Sequence, residues 1–140
     1  MGRILAIDYG RKRTGLAVTD VLRITANPLL TIETKDLIEW LAEYFQKEPV
    51  DEVVIGHPTQ MSGEESESMN YIRPFMGVFK KRFPDKPLTM YDERFTSVLA
   101  HQAMLAGGMK KKDRQNKAAV DKIAACIILE GYLEKIKIRN

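Results

Sequence analysis

The sequence is poor in the side chains that usually bind zinc, because it has one cysteine and two histidines. Structural zinc sites take four ligands, mostly of these two types, so a classical zinc site is not expected. The lone Cys126 cannot form an intramolecular disulfide. Because the surrounding run 124–128 is apolar, we expect a small buried side chain rather than a catalytic thiol.

Long hydrophobic runs are also missing from the sequence. No apolar stretch reaches about 18 residues, the length that crosses a bilayer. The first apolar stretch ends in Asp8, where a secretory signal would have to continue, and it is typical of a first β-strand. We therefore expect a single domain over residues 1–140, located in the cytoplasm and without a membrane partner.

The formal net charge is only +3 and indicates little about the partner by itself. The basic residues are nevertheless grouped in two segments. Such groups attract the phosphates of nucleic acid, although a solvated basic loop would have the same composition. The first segment is Arg11, Lys12 and Arg13, and the second contains Lys110, Lys111, Lys112, Arg114 and Lys117.

The spacing of the apolar residues predicts five strands and four helices. The expected strands span 3–8, 14–19, part of 24–32, 50–56 and 88–91, and the expected helices span 36–47, 68–83, 96–106 and 117–136. A polar loop is expected at 59–67 and a basic linker at 109–116. Three consecutive strands followed by alternating helices and strands indicate a mixed α/β sheet with helices on its faces. On helix 68–83, we assign Tyr71, Phe75 and Phe79 to the core rather than to a platform on which bases stack.

Three acidic positions lie where a carboxylate is costly to place. Asp8 ends the first strand, and Asp92 and Glu93 follow the fifth. In the last helix, Asp121 shares a stripe with small apolar residues and points at the body of the protein. Each position alone has an ordinary explanation. Asp8 could be a turn residue, Asp92 or Glu93 could form an ion pair with Arg94, and Asp121 could be an acid in a first helical turn.

Taken together, the three positions suggest a metal site. If the acids converge at one edge of the sheet, divalent cations must offset the repulsion between the carboxylates. Carboxylate oxygens suit Mg²⁺ or Mn²⁺, and two such ions can activate water and stabilise the leaving oxygen of a phosphodiester. This chemistry does not require histidine, so the scarcity of histidine is no objection.

Four segments of the chain, taken in order, resemble the YqgF/RuvX family. No single segment is specific, but four in this order are. The second segment departs from the family at His57, where leucine is more usual, and we expect an accidental loop variant there rather than a substrate contact. The segments are Asp8–Asp20, Gly56–Pro58 with Met61 and Gly63, Asp92–Ser97 with Ala100, and Asp121–Ala125 with Ile127–Leu129.

The resemblance implies a ribonuclease H-like fold related to the RuvC resolvases, with three antiparallel strands and two parallel ones. It implies a metal-dependent nuclease that processes the 5′ end of the 16S rRNA precursor. Holliday junction resolution and a non-catalytic nucleic-acid-binding module are the alternatives. By position, Asp8, Glu93 and Asp121 match the metal-binding acids, with Asp92 as an alternative to Glu93 because neighbours in a strand face opposite sides. Actin-like ATPases also open with Asp-x-Gly, but they need two such domains.

Contacts with nucleic acid are expected at the first hairpin and in the basic segments. Gly10 serves either turn geometry or close approach of the backbone to a phosphate. Arg11 and Arg13 are candidate phosphate ligands, and Arg94 either touches substrate or pairs with an acid. The segment 110–117 is expected to become ordered on nucleic acid. We expect Thr14 to assist the site through a hydroxyl hydrogen bond and Asp20 to have a turn role at the end of the second strand.

Overall fold

A computed structural model of the chain describes residues 2–57, 69–92 and 117–139. Within these ranges it describes every side chain except those of residues 57, 92, 117–121 and 137–139. The predicted loop 59–67, helix 96–106 and basic linker 109–116 lie outside the described residues.

The described strands form one five-stranded sheet in the order β3-β2-β1-β4-β5. Strands β1 and β2 are antiparallel, as are β2 and β3, whereas β4 runs parallel to both β1 and β5. The predicted combination of an antiparallel meander and two parallel strands is therefore confirmed. The strands are β1 (Arg3–Asp8), β2 (Arg13–Thr19), β3 (Ala26–Glu33), β4 (Val50–His57) and β5 (Leu88–Asp92).

Three α-helices lie within the described ranges. They are α1 (Leu37–Lys47), α2 (Met69–Arg82) and α3 (Lys117–Arg139), and a 3-10 turn (Thr34–Asp36) precedes α1. Each α-helix begins within one residue of its predicted start, and α3 continues three residues beyond its predicted end. None of these helices is both long and apolar enough to cross a bilayer.

Strand β3 begins at Ala26, inside the expected run 24–32, and the apolar Ile24 stays outside the strand. The predicted run includes Ile24, but the ladder with β2 starts at the pair Thr19 and Ala26. The backbone N–H groups of Ile24 and Thr25 donate instead to the carboxylate of Asp20, at 2.8 Å each. A side chain thus competes with the β-ladder for these donors, which keeps residues 20–25 in a turn.

The alternation of side chains along the strands builds two apolar layers. In β1, Leu5 and Ile7 face α1 and α2, whereas Ile4 and Ala6 face α3. The α1 and α2 layer also contains Leu16, Val53, Ile55, Leu41, Ile72 and Phe79, and the α3 layer also contains Ala17, Val54, Ala125, Ile128 and Leu129. Position 8 continues the series 4 and 6, so Asp8 belongs to the face that α3 covers.

Candidate active-site edge

The carboxyl ends of the three parallel strands lie at the same edge of the sheet. Asp8 is the last residue of β1 and pairs with Gly15 of β2. The backbone of Asp92 ends β5 beside His57 of β4. Because β4 lies between β1 and β5, the two strand ends are separated by two strand spacings, about 10 Å. We call this side of the sheet the Asp8 edge.

Asp8 is half-buried and lies on the α3 side of the sheet. In α3, Ala125 is fully buried against that side, and Asp121 occurs one helical turn earlier. The backbone of Asp121 therefore belongs to the helix that covers the face of Asp8. The side chain of Asp121, like that of Asp92, is not among those described.

The other predicted site residues divide into described and undescribed groups. Among the described side chains, no group of three or more histidine, cysteine or acidic residues could hold a metal. Lys117 is described only as backbone at the start of α3. Residues outside the described ranges are Glu93, Arg94, Lys110, Lys111, Lys112 and Arg114.

The loop that follows Asp8 is closed by two threonine hydroxyls. Gly10 N–H donates to Thr14 Oγ1 at 3.5 Å, and Thr34 Oγ1 donates to the Gly10 carbonyl at 2.6 Å. The two hydroxyl oxygens are 2.8 Å apart. Since the Thr34 proton is used on Gly10, Thr14 is the donor between the hydroxyls. Thr14 is fully buried, so its hydroxyl hydrogen bonds fix the loop, and its predicted assistance to the site stays a prediction.

Gly10 is required by the close approach of the backbone within this loop. A Cβ atom at position 10 would lie 2.1 Å from the carbonyl oxygen of Arg13. That neighbour is backbone and cannot turn away as a flexible side chain would. The turn interpretation of Gly10 is therefore supported, and its approach to a phosphate stays a prediction.

Two ring contacts attach the same loop to α2. Tyr9 stacks on Phe75 with ring centroids 4.6 Å apart. Burial raises the pKa of the Tyr9 hydroxyl. The Arg11 guanidinium lies over the ring of Tyr71, 5.1 Å from its centroid. Arg11 and Arg13 are exposed, as residues that contact a ligand must be.

The core assignment on α2 is confirmed for Phe75 and Phe79 and is wrong for Tyr71. Phe75 is 7% exposed and Phe79 is fully buried, whereas Tyr71 is 39% exposed. At 100° per residue, Tyr71 lies about 40° from Phe75 and about 80° from Phe79 around the helix axis. It is therefore at the border of the apolar stripe, where the spacing of apolar residues does not distinguish buried from exposed positions. The sequence feature that could have indicated an exposed Tyr71 is Arg11, whose guanidinium contacts the Tyr71 ring from the loop after β1.

Asp20 has the turn role that its sequence position suggests. Its carboxylate accepts hydrogen bonds from the N–H groups of Leu22, Ile24 and Thr25. The backbone hydrogen bond from Thr25 is the largest cause that lowers the pKa of this carboxyl. Asp20 follows β2 at the sheet edge opposite Asp8, because Thr19 lies beside Ile4 at the start of β1. We call this side the Asp20 edge.

Cys126 is half-buried, whereas the sequence predicts a buried side chain, and it acts as a packing residue. Burial, followed by the nearby charge of Glu130, raises the pKa of its thiol to about 11. The thiol packs against the α3 layer, with its sulfur 3.5 Å from the carbonyl oxygen of Ala26. A thiol with this pKa is protonated at neutral pH, which fits the predicted structural role.

The architecture defines the class of the protein. The structure of T. thermophilus RuvC in complex with a Holliday junction substrate is similar to this chain, with a TM-score of 0.59, 17% sequence identity and 96% of each chain covered. A five-stranded mixed sheet with this strand order and helices on both faces is the ribonuclease H-like fold.

Sequence similarity identifies the family within that class. The model of the RuvX family, described as Holliday junction resolvase, matches residues 2–135, and this chain belongs to that family. A relative from Phocaeicola vulgatus is 61% identical, with 98% of this chain and 99% of the relative covered. Another from Bacteroides thetaiotaomicron is 58% identical, with 96% and 97% covered. Both relatives carry the name "Putative pre-16S rRNA nuclease".

Proposed function

We propose that this chain is a single-domain, metal-dependent nuclease that hydrolyses phosphodiester bonds in the 16S rRNA precursor. The observation that carries the proposal is the position of Asp8. It is a half-buried carboxylate at the carboxyl end of β1, on the face covered by the helix that contains Asp121. Ligands in open α/β sheets usually bind at this end of the strands.

The donor set at the Asp8 edge suits Mg²⁺ or Mn²⁺, because both ions prefer carboxylate oxygens. Asp8, Glu93 and Asp121 would hold the metal. Glu93 is the first choice for the third acid and Asp92 is the alternative, because Tyr91, two positions before Glu93, packs in the α3 layer. When bound, such ions activate the attacking water and stabilise the leaving oxygen.

The surrounding residues have separate roles in this proposal. Asp8 contributes a negatively charged ligand, and the Thr14 and Thr34 hydroxyls hold the loop beside it in one conformation. Arg11 and Arg13 extend from that loop and contact substrate phosphates. Arg94 and the basic segment 110–117 add further positive charge for the backbone of the nucleic acid.

RNA is the favoured substrate because the relatives above 55% identity are named for a ribosomal RNA precursor. Cutting that precursor implies a cytoplasmic location. The description of the family model names a different substrate, the Holliday junction. Junction resolution is therefore the second candidate, and it requires a two-fold symmetric assembly that matches the symmetry of its substrate.

One cleavage experiment separates these candidates. Purified protein is incubated with Mg²⁺, Mn²⁺ or EDTA, together with a 16S precursor fragment that has an extended 5′ end, the mature fragment, or a four-way DNA junction. We expect metal-dependent cleavage of the precursor only. Asp8→Asn should lower the rate by more than about a hundredfold. Substituting a residue that only hydrogen-bonds to a metal ligand already lowers metal affinity or activity by roughly 10- to 100-fold, and Asp8 would be a ligand itself.

The matched control is Asp85→Asn, which removes an exposed acid from the turn after α2. It should cut as fast as the wild type. Equal rates for Asp8→Asn and the wild type would show that the activity does not come from the Asp8 edge. Cleavage of the junction alone would overturn the RNA assignment, and binding without cleavage would favour the non-catalytic module.

A further inference from the structure

An exposed aromatic ring lies beside the Asp8 edge, outside every residue assigned so far to the site. Tyr71 is 39% exposed although it belongs to the helix that packs on the loop after Asp8. The Arg11 guanidinium lies over its ring at 5.1 Å from the centroid. Arg11 follows Asp8 by only three residues, so Tyr71 contacts the loop at the Asp8 edge, from the side of the sheet that α2 covers.

The position of Tyr71 relative to this loop is well defined. One helical turn further along α2, Phe75 is buried and stacks on Tyr9. Tyr9 and Arg11 come from the same loop, and the Thr14 and Thr34 hydroxyls hold Gly10 between them. The loop after Asp8 therefore contacts α2 at two points, Phe75 and Tyr71, which positions Tyr71 against this loop.

The exposed side of α2 continues away from Tyr71 as an apolar and basic stripe. At 100° per residue, Pro74, Val78 and Lys81 lie within about 80° of Tyr71 around the helix axis. Pro74 and Lys81 are exposed, and Val78 is 52% exposed. Lys81 lies about 15 Å along the axis from Tyr71. We call these four residues the α2 stripe.

All charged residues of α2 are basic. Its sequence contains Arg73, Lys80, Lys81 and Arg82 and no acidic residue. Within the described part of the chain, Arg82 pairs with Glu39, whereas Lys80 and Lys81 form no ion pair. A solvated helix face would explain the lysines, and the contact with Arg11 attaches Tyr71 to the loop, but neither covers the ring, which stays 39% exposed.

Exposed rings interleaved with cations are how proteins bind unpaired nucleic acid strands, because every base has a face that can stack and every phosphate has a negative charge. A base inside a duplex has no free face to offer. The shared chemistry of the occupant is therefore an unpaired nucleotide strand, of RNA or of DNA.

We propose that Tyr71 stacks on an unpaired base next to the phosphate at the Asp8 edge, and that the strand continues along the α2 stripe to Lys81. In the free protein the Arg11 guanidinium occupies one side of the Tyr71 ring. On binding, the base takes this place and the guanidinium moves to the adjacent phosphate. This inference rests on the proposed nuclease function and names the part of the substrate that the site selects.

Binding is measured in EDTA, to prevent cleavage, with three probes of one sequence: single-stranded RNA, single-stranded DNA and duplex RNA. Tyr71→Leu removes the ring but keeps an apolar side chain that forms helices well. It should weaken binding of the single strands by about fivefold to a hundredfold and leave the duplex unchanged. Tyr71→Phe keeps the ring and should bind like the wild type. A preference for the RNA probe over the DNA probe identifies the source of the strand.

Lys81 of the α2 stripe has a matched control in Lys80, which lies outside the stripe. Lys80 and Lys81 are neighbours with the same charge, but Lys80 lies about 180° around the helix from Tyr71. Lys81→Gln should reduce the salt dependence of single-strand binding by about 0.7 in log K against log salt, the value of one phosphate contact. Lys80→Gln should leave the slope unchanged. Equal effects of the two substitutions would overturn the stripe.

A fluorescence measurement reports the stacking directly. The chain has a single tryptophan, Trp40 of α1, which stacks on Tyr44. In a Trp40→Phe background, Tyr71→Trp gives one indole at the proposed stacking position. Single-stranded probes should quench it, the duplex should not, and Trp40 in the wild type should not respond.

The outcomes distinguish this inference from the function on which it rests. Cleavage and single-strand binding by the wild type, with no change in Tyr71→Leu and no quenching in Tyr71→Trp, overturn the role of Tyr71 and leave the nuclease assignment intact. Failure of the wild type to bind or cut any probe overturns both. Thermal unfolding of each variant confirms that the fold is retained.

Discussion

The loops at the two edges of the sheet are closed by different chemistry. At the Asp8 edge, the uncharged hydroxyls of Thr14 and Thr34 hold the loop. At the Asp20 edge, a carboxylate accepts three backbone hydrogen bonds from its own turn. The hydrogen bonds that join Gly10, Thr14 and Thr34 use groups other than the carboxylate and guanidinium groups proposed to bind metal and phosphate.

Charge at the Asp20 edge serves the fold instead. Arg23 adopts a positive φ of 57°, which is uncommon for a residue with a side chain. Its guanidinium donates to the Gly2 carbonyl at 2.9 Å and to Asp51 at 3.0 Å. Asp51 also accepts the backbone N–H of Gly2, and this bond is the largest cause that lowers the pKa of its carboxyl. Acids and bases here neutralise each other and tie the N-terminus to β4.

The largest expected effect comes from a pair of threonines at opposite ends of β2. Thr14 and Thr19 are both fully buried, and each hydroxyl accepts a backbone N–H. Thr19→Val leaves the buried N–H of Ile4 unsatisfied, and Thr14→Val removes the acceptor of the partly buried Gly10 N–H together with the hydrogen bond to Thr34, so each variant should lose about 1–3 kcal/mol of unfolding free energy in urea titrations.

Activity should separate the two threonine variants. Thr14→Val frees the loop beside Asp8, and misplacement by about 1 Å can cost roughly a hundredfold in rate, so its kcat/KM should fall by about that factor. Thr19→Val should retain the wild-type kcat/KM at a temperature where both variants are folded. Equal losses of activity would show that the hydrogen bonds among Gly10, Thr14 and Thr34 have no special role at the Asp8 edge.

Glycine substitutions give the next largest effect. Gly10→Ala places a Cβ atom 2.1 Å from a backbone oxygen, and the required shift should cost about 1–3 kcal/mol of stability. Gly77 of α2 has nothing within 4 Å of the corresponding position. Gly77→Ala should therefore stabilise the protein by about 0.5–1 kcal/mol through helix propensity. The midpoints of urea unfolding measure both changes, and a neutral Gly10→Ala would contradict the close approach in the loop.

A smaller effect is expected from pH at the Asp20 edge. A carboxyl whose pKa is lower in the folded than in the unfolded protein stabilises the fold above the unfolded pKa, and this contribution is lost as the pH falls through the folded pKa. Both Asp20 and Asp51 have lowered pKa values. The free energy of unfolding should thus decrease below about pH 4.

Substitution tests the assignment of this pH dependence. Asp20→Asn should be less stable than the wild type at pH 6, and the difference should shrink towards pH 2. Asp85→Asn removes an exposed acid without changing the Asp20 turn and should follow the wild-type curve. A parallel, undiminished difference between Asp20→Asn and the wild type at all pH values would assign its effect to shape rather than to ionisation.

The smallest effect is expected at Cys126. With a pKa of about 11 instead of 9.0, the thiol has roughly a hundredfold less thiolate at neutral pH. Alkylation by iodoacetamide should be correspondingly slow in the native protein and faster in urea. Cys126→Ala should cut RNA as the wild type does. Rapid native alkylation would place Cys126 outside the layer between α3 and the sheet.

Much of the fold was predictable because the apolar spacing is regular. The alternation in β1 and the helical spacing of Ile72, Phe75 and Phe79 reflect burial against two layers, which is the strongest signal in a sequence. The start of β3 was not predictable in the same way. Ile24 is as apolar as a strand residue, but its N–H group is taken by Asp20, and side-chain competition of this kind has no periodic signature.

The site residues themselves stay predictions, but one feature of the Asp8 edge could be anticipated. Asp8 is recognisable because an acid ends an otherwise apolar strand. Tyr71 could not be placed from α2 alone, since the position of an aromatic residue at the border of a stripe depends on what the neighbouring loop offers. The partnership of Thr14 with Thr34 also escapes the sequence, because the two residues are 20 positions apart and meet only through the sheet.

The most direct test of the metal site compares the acids of the two edges. Binding of Mn²⁺ is titrated by electron paramagnetic resonance, in which the signal of the free ion reports the unbound concentration. Asp8→Asn should weaken Mn²⁺ binding by at least about 10- to 100-fold, and Asp20→Asn should bind as the wild type does. Wild-type affinity in Asp8→Asn, or an equal loss in both variants, would contradict a metal site at the Asp8 edge.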